Sequence, residues 1–383
     1  MQTVNLREER GQTIAKTVGH VKRIDEHSYK VHAQSGDFEY DIMSTEIGWF
    51  CSCADAMYRG VKCKHIWAVE FSHILRKQVE KQVIIKSLNT QLCVICGSEN
   101  IVRHGVSHNK YGDIQRFNCK DCGKRFTSNL GFEGMKASPQ IITSALQLYF
   151  TGESLRNVKK FLKLQGVNVT HVTIYQWIKK YVGLMEKYLD QIKPNVSDTW
   201  RADEIYLKIK GDKKYLFAVM DDQTRFWIAQ EVAESKFRHD ARKIFQQAKE
   251  ATNTKPKTLI TDGLPAYSDA YKKEFWTINK ETRTQHIRHI HIQNDMNNNK
   301  MERINGEIRD REKTMRGLKK VDTPILKGYQ IFHNYIREHE GLDGKTPAEA
   351  CGITVEGSNK WKTIIENASH VQTINRANHV QQT

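Results

Sequence analysis

Three features are missing from this 383-residue sequence, and each absence removes a class of protein from consideration. No run of 18 apolar residues occurs, so no segment reads as an ordinary membrane-spanning helix. The opening MQTVNLREERGQ carries charge where a secretion leader needs an apolar stretch, and a soluble, intracellular chain is expected. Internal repeats and low-complexity tracts are also lacking, which argues against solenoid arrays and biased, disordered chains.

What is present suffices for a sizeable core. The chain is 39% hydrophobic, with 14 Phe, 14 Tyr and 7 Trp. At roughly 150 residues per domain its length suggests two to four units. Lys and Arg exceed Asp and Glu by 60 to 44, a formal charge of +16 spread along the chain. Such a field attracts polyanions, of which nucleic acid is the commonest in a cell, although a merely basic soluble protein would carry the same charge.

Seven of the eight cysteines fall within the 72 residues from Cys51 to Cys122, in close pairs. Without a secretion signal, that clustering favours metal over disulfides. Cys93-x-x-Cys96 and Cys119-x-x-Cys122 are two knuckles separated by 22 residues, offering four thiolates to one tetrahedral zinc ion in a zinc ribbon. Cys51-x-Cys53 and Cys63-x-His65, nine residues apart, offer three sulfurs and one nitrogen to a second. One residue between ligands demands nearly extended chain, as at a hairpin end followed by a helix. Tyr29, Val31, Phe38, Tyr40 and Ile42, at intervals of two around Ser35-Gly36-Asp37, supply the hairpin, and a helix is expected from His65 to about Ser87. Both sites read as structural, because four protein ligands leave no open position for substrate. Cys351 is left over and reads as a small buried hydrophobe.

From Ser138 to Leu189 three helical segments follow, with Gly152 and Gly166 as breaks and Ser154 and Thr170 as N-caps. Val172, Tyr175, Ile178 and Val182 form an apolar face of the third, leaving His171, Thr173, Gln176, Lys179 and Lys180 outside. A helix-turn-helix and an ordinary trihelical packing unit both fit that pattern. Beyond Pro194 the order becomes βββαβαβα, a mixed α/β layer fold, ending in a long basic helix over about 298–320 and one further helix.

Within it, period two places Asp203 on one face with Arg201, Ile205, Leu207 and Ile209, where an ionised carboxylate is costly without a compensating cation. Glu204 points the other way and reads as a solvated or hydrogen-bonded neighbour. Asp262 ends the apolar run Leu259-Ile260-Thr261, at the carboxyl end of a strand where ligand groups collect; it is equally a helix cap before Gly263-Leu264-Pro265. Glu302 lies beside a core face of Met301, Ile304, Ile308, Met315 and Leu318, in a stripe continued by Asn305, Arg309, Lys313 and Arg316. A plain charged helix face has the same composition. Asp221 and Asp222 compete for the acidic roles but occupy a turn, MDDQTR, where Asp is an ordinary structural residue.

Two resemblances organise these signals. The segment FCSCADAMYRGVKCKHIWAV, preceded by YKVHAQSGDFEYDI, resembles the SWIM zinc finger, whose members serve in DNA or protein binding. The segments WRADEIYLKIKGDKKYLFAVMDDQTRF, LITDGLPAY, NNNKMERINGEIRDREK and HEGLDGKTPAEACGI resemble insertion-sequence transposases of the DDE type, in particular the replicative group with a single short transposase, over about 138–352. The resemblance implies a ribonuclease-H-like catalytic domain in which Asp203, Asp262 (after 58 intervening residues) and Glu302 (after 39 more) hold two Mg²⁺ or Mn²⁺ ions. Water attack would expose a 3′-hydroxyl at an element end, and that hydroxyl would attack target DNA. Five regions are expected: a SWIM module (1–88), a zinc ribbon (89–130), a helix-turn-helix (131–193), the DDE domain (194–352) and a polar C-terminal tail (353–383). Expected partners are double-stranded DNA, contacted by His171, Thr173, Gln176, Lys179, Lys180, Arg309, Lys313 and Arg316, and further copies of the chain in a homodimer or larger assembly. A cytoplasmic, nucleoid-associated location follows. A catalytically idle, zinc-dependent DNA-binding regulator and a hydrolytic nuclease of the same superfamily are the alternatives.

Overall fold

The computed structural model describes residues 6–16, 20–23, 28–34, 38–45, 48–79, 83–88, 92–109, 112–289, 299–315, 318 and 324–380. The chain divides into two compact units, Met1–Gln82 and Val83–Thr383. No helix among the described residues is long and apolar enough to cross a membrane.

The first unit is an antiparallel sheet of Val21–Arg23, Ser28–His32, Glu39–Thr45 and Gly48–Cys51, joined by helices Leu6–Lys16, Ala54–Arg59 and Lys64–Val79. The expected hairpin is its centre: Tyr29 pairs with Ile42 and Val31 with Tyr40. Tyr29, Val31 and Ile42 are buried, whereas Phe38 is exposed, and the turn residues 35–37 lie outside the described residues. The helix expected to reach Ser87 ends at Val79. Val83–Ile85 is instead a strand of the second unit, parallel to Ile353–Val355, so the boundary moves from 88 to 82/83. Three β-branched residues favour strand, but the partner strand lies far along the chain, where local periodicity cannot see it.

After Val83–Ile85 the second unit continues with the ribbon, antiparallel strands Ile101–Asn109, Gly112–Cys119 and Arg125–Thr127. Helices α1 (Pro139–Thr151), α2 (Leu155–Leu164) and α3 (His171–Leu189) follow. Ser154 and Thr170 cap as expected, each hydroxyl accepting a backbone N–H at 3.1 Å, from Asn157 and Thr173 respectively. The buried face of α3 is Ile174, Trp177, Ile178, Tyr181, Val182 and Met185, and the expected face is corrected accordingly: Val172 is 53% exposed. Ile174 and Trp177, the bulkier apolar pair, rotate the buried stripe.

Strands β1 (Thr199–Ile209), β2 (Asp212–Asp221) and β3 (Trp227–Ala233) form an antiparallel meander. After α4 (Arg238–Thr252), β4 (Thr258–Asp262) lies parallel to β1; after α5 (Pro265–Glu274), β5 (Gln285–His289) lies parallel to β4. The resulting order, β3-β2-β1-β4-β5, is a ribonuclease-H-like mixed sheet. Helix α6 (Asn299–Met315) packs against β1, and α7 (Pro324–Ile331) runs into a π-helical turn, Phe332–Ile336.

Two further expectations are corrected here. Leu318 is not on the basic helix, which ends at Met315; its N–H and carbonyl bond to Lys208 and Lys210 at the end of β1. Residues 353–383 are not a polar tail. Strand Ile353–Val355 is followed by helix α8 (Lys360–Val380), which buries Trp361, Ile364, Ile365 and Ala368. Trp361 stacks on Phe150 at 5.6 Å, and its indole N–H donates to Gln147 at 2.8 Å. The 361/364/365/368 spacing is helical, but the polar residues around it hid the short apolar face.

Candidate metal centres

Both cysteine constellations close into cages. In the first, donor atoms of Cys51, Cys53, Cys63 and His65 lie within 4.8 Å of one another, and all four residues are buried. His65 Nδ1 stands 3.7 Å from Cys51 Sγ and 3.9 Å from Cys63 Sγ. Its ring stacks on Tyr40 at 4.2 Å, which fixes the orientation. In the second cage Cys93 and Cys122 sulfurs are 3.7 Å apart, and Cys96 and Cys119 sulfurs 3.6 Å. Zinc–sulfur bonds of about 2.3 Å make a tetrahedron with edges of roughly 3.8 Å, so both donor sets fit zinc. All eight cysteines are free of disulfides.

The third cluster is made of oxygen. Pairing between the parallel strands β1 and β4 reaches Ala202 and Thr261. The next residues on each strand are Asp203 and Asp262, and their carboxylates converge with that of Glu204 to within 4.8 Å. Asp203 is pushed up to about 7, first by burial and then by the charges of Glu204 and Asp262, against hydrogen bonds from the Glu204 N–H and Asn305. Glu204 is raised too, by burial first, although Lys236 opposes the shift. Three carboxylates held together against their own repulsion form a site short of positive charge, and hard oxygen donors suit a divalent cation. Asp262 also accepts the Leu264 N–H at 3.1 Å, but the cap position of α5 is Leu264, so Asp262 is not the helix cap.

Glu302 lies outside this cluster, exposed on the first turn of α6. One turn further along, Asn305 reaches in, its Nδ2 donating to Asp203 Oδ2 at 2.7 Å. Residues 290–298, which lead into α6, are outside the described residues. The competing acids are engaged elsewhere. Asp221 is fully buried and accepts four bonds from the N–H and hydroxyl groups of Ser197 and Thr224. Asp222 pairs with Arg201 at 2.5 Å and Lys300 at 2.9 Å, and these hold it below the usual carboxylate range although burial works the other way.

Residues 197–339 match the family described as a DDE domain, and residues 45–74 match the SWIM zinc finger. Residues 197–339 are thus a DDE domain of the kind found in insertion-sequence transposases, and residues 45–74 a SWIM finger. It is 27% identical over 146 residues to the transposase for insertion sequence-like element IS431mec of Staphylococcus aureus, a match over 37% of this chain and 63% of that one. It is 25% identical over 135 residues to an uncharacterized protein in transposable element ISH50 of Halobacterium salinarum, over 34% and 42% of the two chains. The chain thus spans less than two thirds of the length of these curated relatives. Among solved structures, the HTLV-2 integrase catalytic core domain in complex with magnesium aligns at 20% identity and a TM-score of 0.32, over 42% of this chain and 98% of that one.

In the DDE domain the expected phosphate-facing row is only partly free. Arg309 is exposed, with its guanidinium 5.8 Å from the Tyr206 ring; Lys313 pairs with Asp310 at 2.8 Å; Arg316 lies outside the described residues. On α3, His171, Gln176, Lys179 and Lys180 are exposed and Thr173 is half-buried. Lys180 reaches the Met135 sulfur at 3.4 Å.

Sequence reasoning missed Glu204 and Lys236 at the acid site. Strand alternation sent Glu204 to the opposite face from Asp203, but residues 200–205 are mostly buried on both faces, so the alternation carries no inside-outside information there. Nothing in the local sequence singles out Lys236.

Proposed function

We propose that the protein is a metal-dependent DNA transposase that binds the terminal inverted repeats of a mobile element, cleaves at its ends and joins the freed 3′-hydroxyl to target DNA. The observation that carries this reading is the meeting of Asp203 and Asp262 where two parallel strands part, in a domain of the DDE family. Asp203 and Asp262 would hold divalent metal from the sheet, with Glu302, exposed on the first turn of α6, as the further ligand. The divalent metal held there would supply activation of the attacking oxygen and charge stabilisation of the leaving one. Asn305 fixes the Asp203 carboxylate through its 2.7 Å hydrogen bond. Arg309 and Lys313 follow the DNA backbone, and the exposed side of α3, with His171, Gln176, Lys179 and Lys180, reads element ends beside Thr173. Two zinc ions hold the SWIM finger and the ribbon in shape. Pairing two ends requires at least a dimer.

A gel assay with labelled element ends and a target plasmid tests this. Asp203→Asn, Asp262→Asn and Glu302→Gln should each retain end binding and lose strand transfer at least about 10³-fold, a size expected when a transition-state interaction is removed. Retained transfer in any one variant removes that residue from the site; cleaved ends with no joined product would point to a hydrolytic nuclease.

A further inference from the structure

The cluster beside Asp203 holds a carboxylate that ordinary structural bonding does not explain. Glu204 has a side chain only 3% exposed. Its Oε1 accepts from Lys236 Nζ at 2.5 Å, while Oε2 is buried with no hydrogen-bond partner among the described residues. The buried Tyr267 hydroxyl is its neighbour and the protein group placed to donate to it, a neutral donor that leaves the carboxylate's charge uncompensated. Structural acids of the same domain look different. Glu274 spends both oxygens, accepting from Arg242 at 2.6 Å, Gln246 at 3.0 Å and Lys249 at 2.5 Å. Asp221 likewise spends both, on Ser197 and Thr224.

A buried anionic oxygen left bare is unfavourable unless a cation completes it. The Glu204 carboxylate lies within 4.8 Å of those of Asp203 and Asp262, so a cation held by that pair is within reach of it. Its present partner is suited to give way: Lys236 is 39% exposed, and a lysine ammonium on a flexible stem can move into water, as a buried arginine could not.

We propose that Glu204 is a third strand-borne carboxylate of the divalent-metal site, and that Lys236 is the counter-ion that stands in for the metal and leaves when it binds. This rests on the acid cluster being a metal site, as the proposed function requires.

The test uses full-length, zinc-loaded protein without DNA, titrated with Mn²⁺ alone and followed by the electron paramagnetic resonance of free Mn²⁺ and by thermal melting. Thiolate cages select zinc over Mn²⁺, so the titration reads the oxygen site. Glu204→Gln should weaken Mn²⁺ binding about 10-fold or more, the lower end of the loss known for disturbed metal shells, and leave the metal-free Tm unchanged or raised. Lys236→Met should tighten Mn²⁺ binding several-fold and lower the metal-free Tm. Wild-type Mn²⁺ affinity in Glu204→Gln, with a lowered Tm or loss of fold, would make Glu204 a structural acid and overturn the inference. So would unchanged Mn²⁺ affinity in Lys236→Met. Asp203→Asn separates the levels: if it too binds Mn²⁺ like wild type, the metal-site reading itself is lost; if only Asp203→Asn is impaired, the Glu204 assignment alone falls.

Discussion

The two units reach stability by different routes. In residues 1–82, cysteine sulfurs are part of the core, packed with Ile14, Tyr29, Val31, Ile42 and Ile66. Its metal ligands are themselves core residues, so its fold and its zinc cage are one equilibrium. In residues 83–383 the ribbon keeps its own small cysteine-lined cluster, while one continuous core runs from the helices through the mixed sheet to α8, and the acid cluster is set on that larger frame, which stands without it. A metal that builds a fold sits in a closed cage of local ligands. A metal that does chemistry is better served by a rigid scaffold that tolerates a strained, charge-poor site.

The largest expected effect breaks this contrast at its zinc end. Structural zinc contributes about 10–16 kcal/mol in small finger modules. Chelation, or Cys63→Ser, should therefore abolish amide protection across Ser28–Cys51, while β1, β2 and β4 stay protected in hydrogen exchange. Equal loss in both units would end the distinction. Next in size is Trp361→Ala, which removes a buried aromatic stacked on Phe150 and Phe332. A loss of about 3–5 kcal/mol is expected in the second unit by denaturant unfolding, with zinc retention in the first unchanged. A surface-like cost under about 0.5 kcal/mol would instead return residues 353–383 to the status of a tail.

The smallest effect concerns pH. Burial, first among its causes, holds His333 down to about 4, and its Nε2–H donates to the Arg225 carbonyl at 3.0 Å. The unfolded chain takes up a proton near pH 6.5 and the folded one does not, so stability is full above that value and falls as pH drops toward 4. Between pH 7.5 and 5 the second unit should lose about 2 kcal/mol through this group. His333→Gln should remove that contribution from the slope; His286, which burial also holds down to about 4, adds to the loss, and Asp203, pushed up to about 7, opposes it. An unchanged slope in the variant would show that His333 is not the titrating group.

How much was legible in the sequence follows the same divide. Each zinc cage is written in a short span, so C-x-C, C-x-H and C-x-x-C spacings suffice to identify its ligands. The acid cluster depends on strand order, and only once β1 and β4 are known to be neighbours do Asp203 and Asp262 meet. Family resemblance supplied what spacing could not. Glu204 escaped because alternation fails where both faces of a strand are covered, and α8 escaped because its short apolar face was read as polar texture. Val83–Ile85 escaped because a strand is defined by a partner, and its partner is Ile353–Val355.

In the proposed function, Asp203 and Asp262 hold the metal used for DNA strand transfer. Replacing either with cysteine keeps a ligand but exchanges a hard oxygen for a soft sulfur, which Mg²⁺ rejects and Mn²⁺ accepts more readily. Strand transfer by Asp203→Cys and Asp262→Cys should be lost in Mg²⁺ and recovered in Mn²⁺, with end binding equal in both. Activity in Mg²⁺ alone, or no recovery in Mn²⁺ by a folded variant that binds its DNA, would contradict the account.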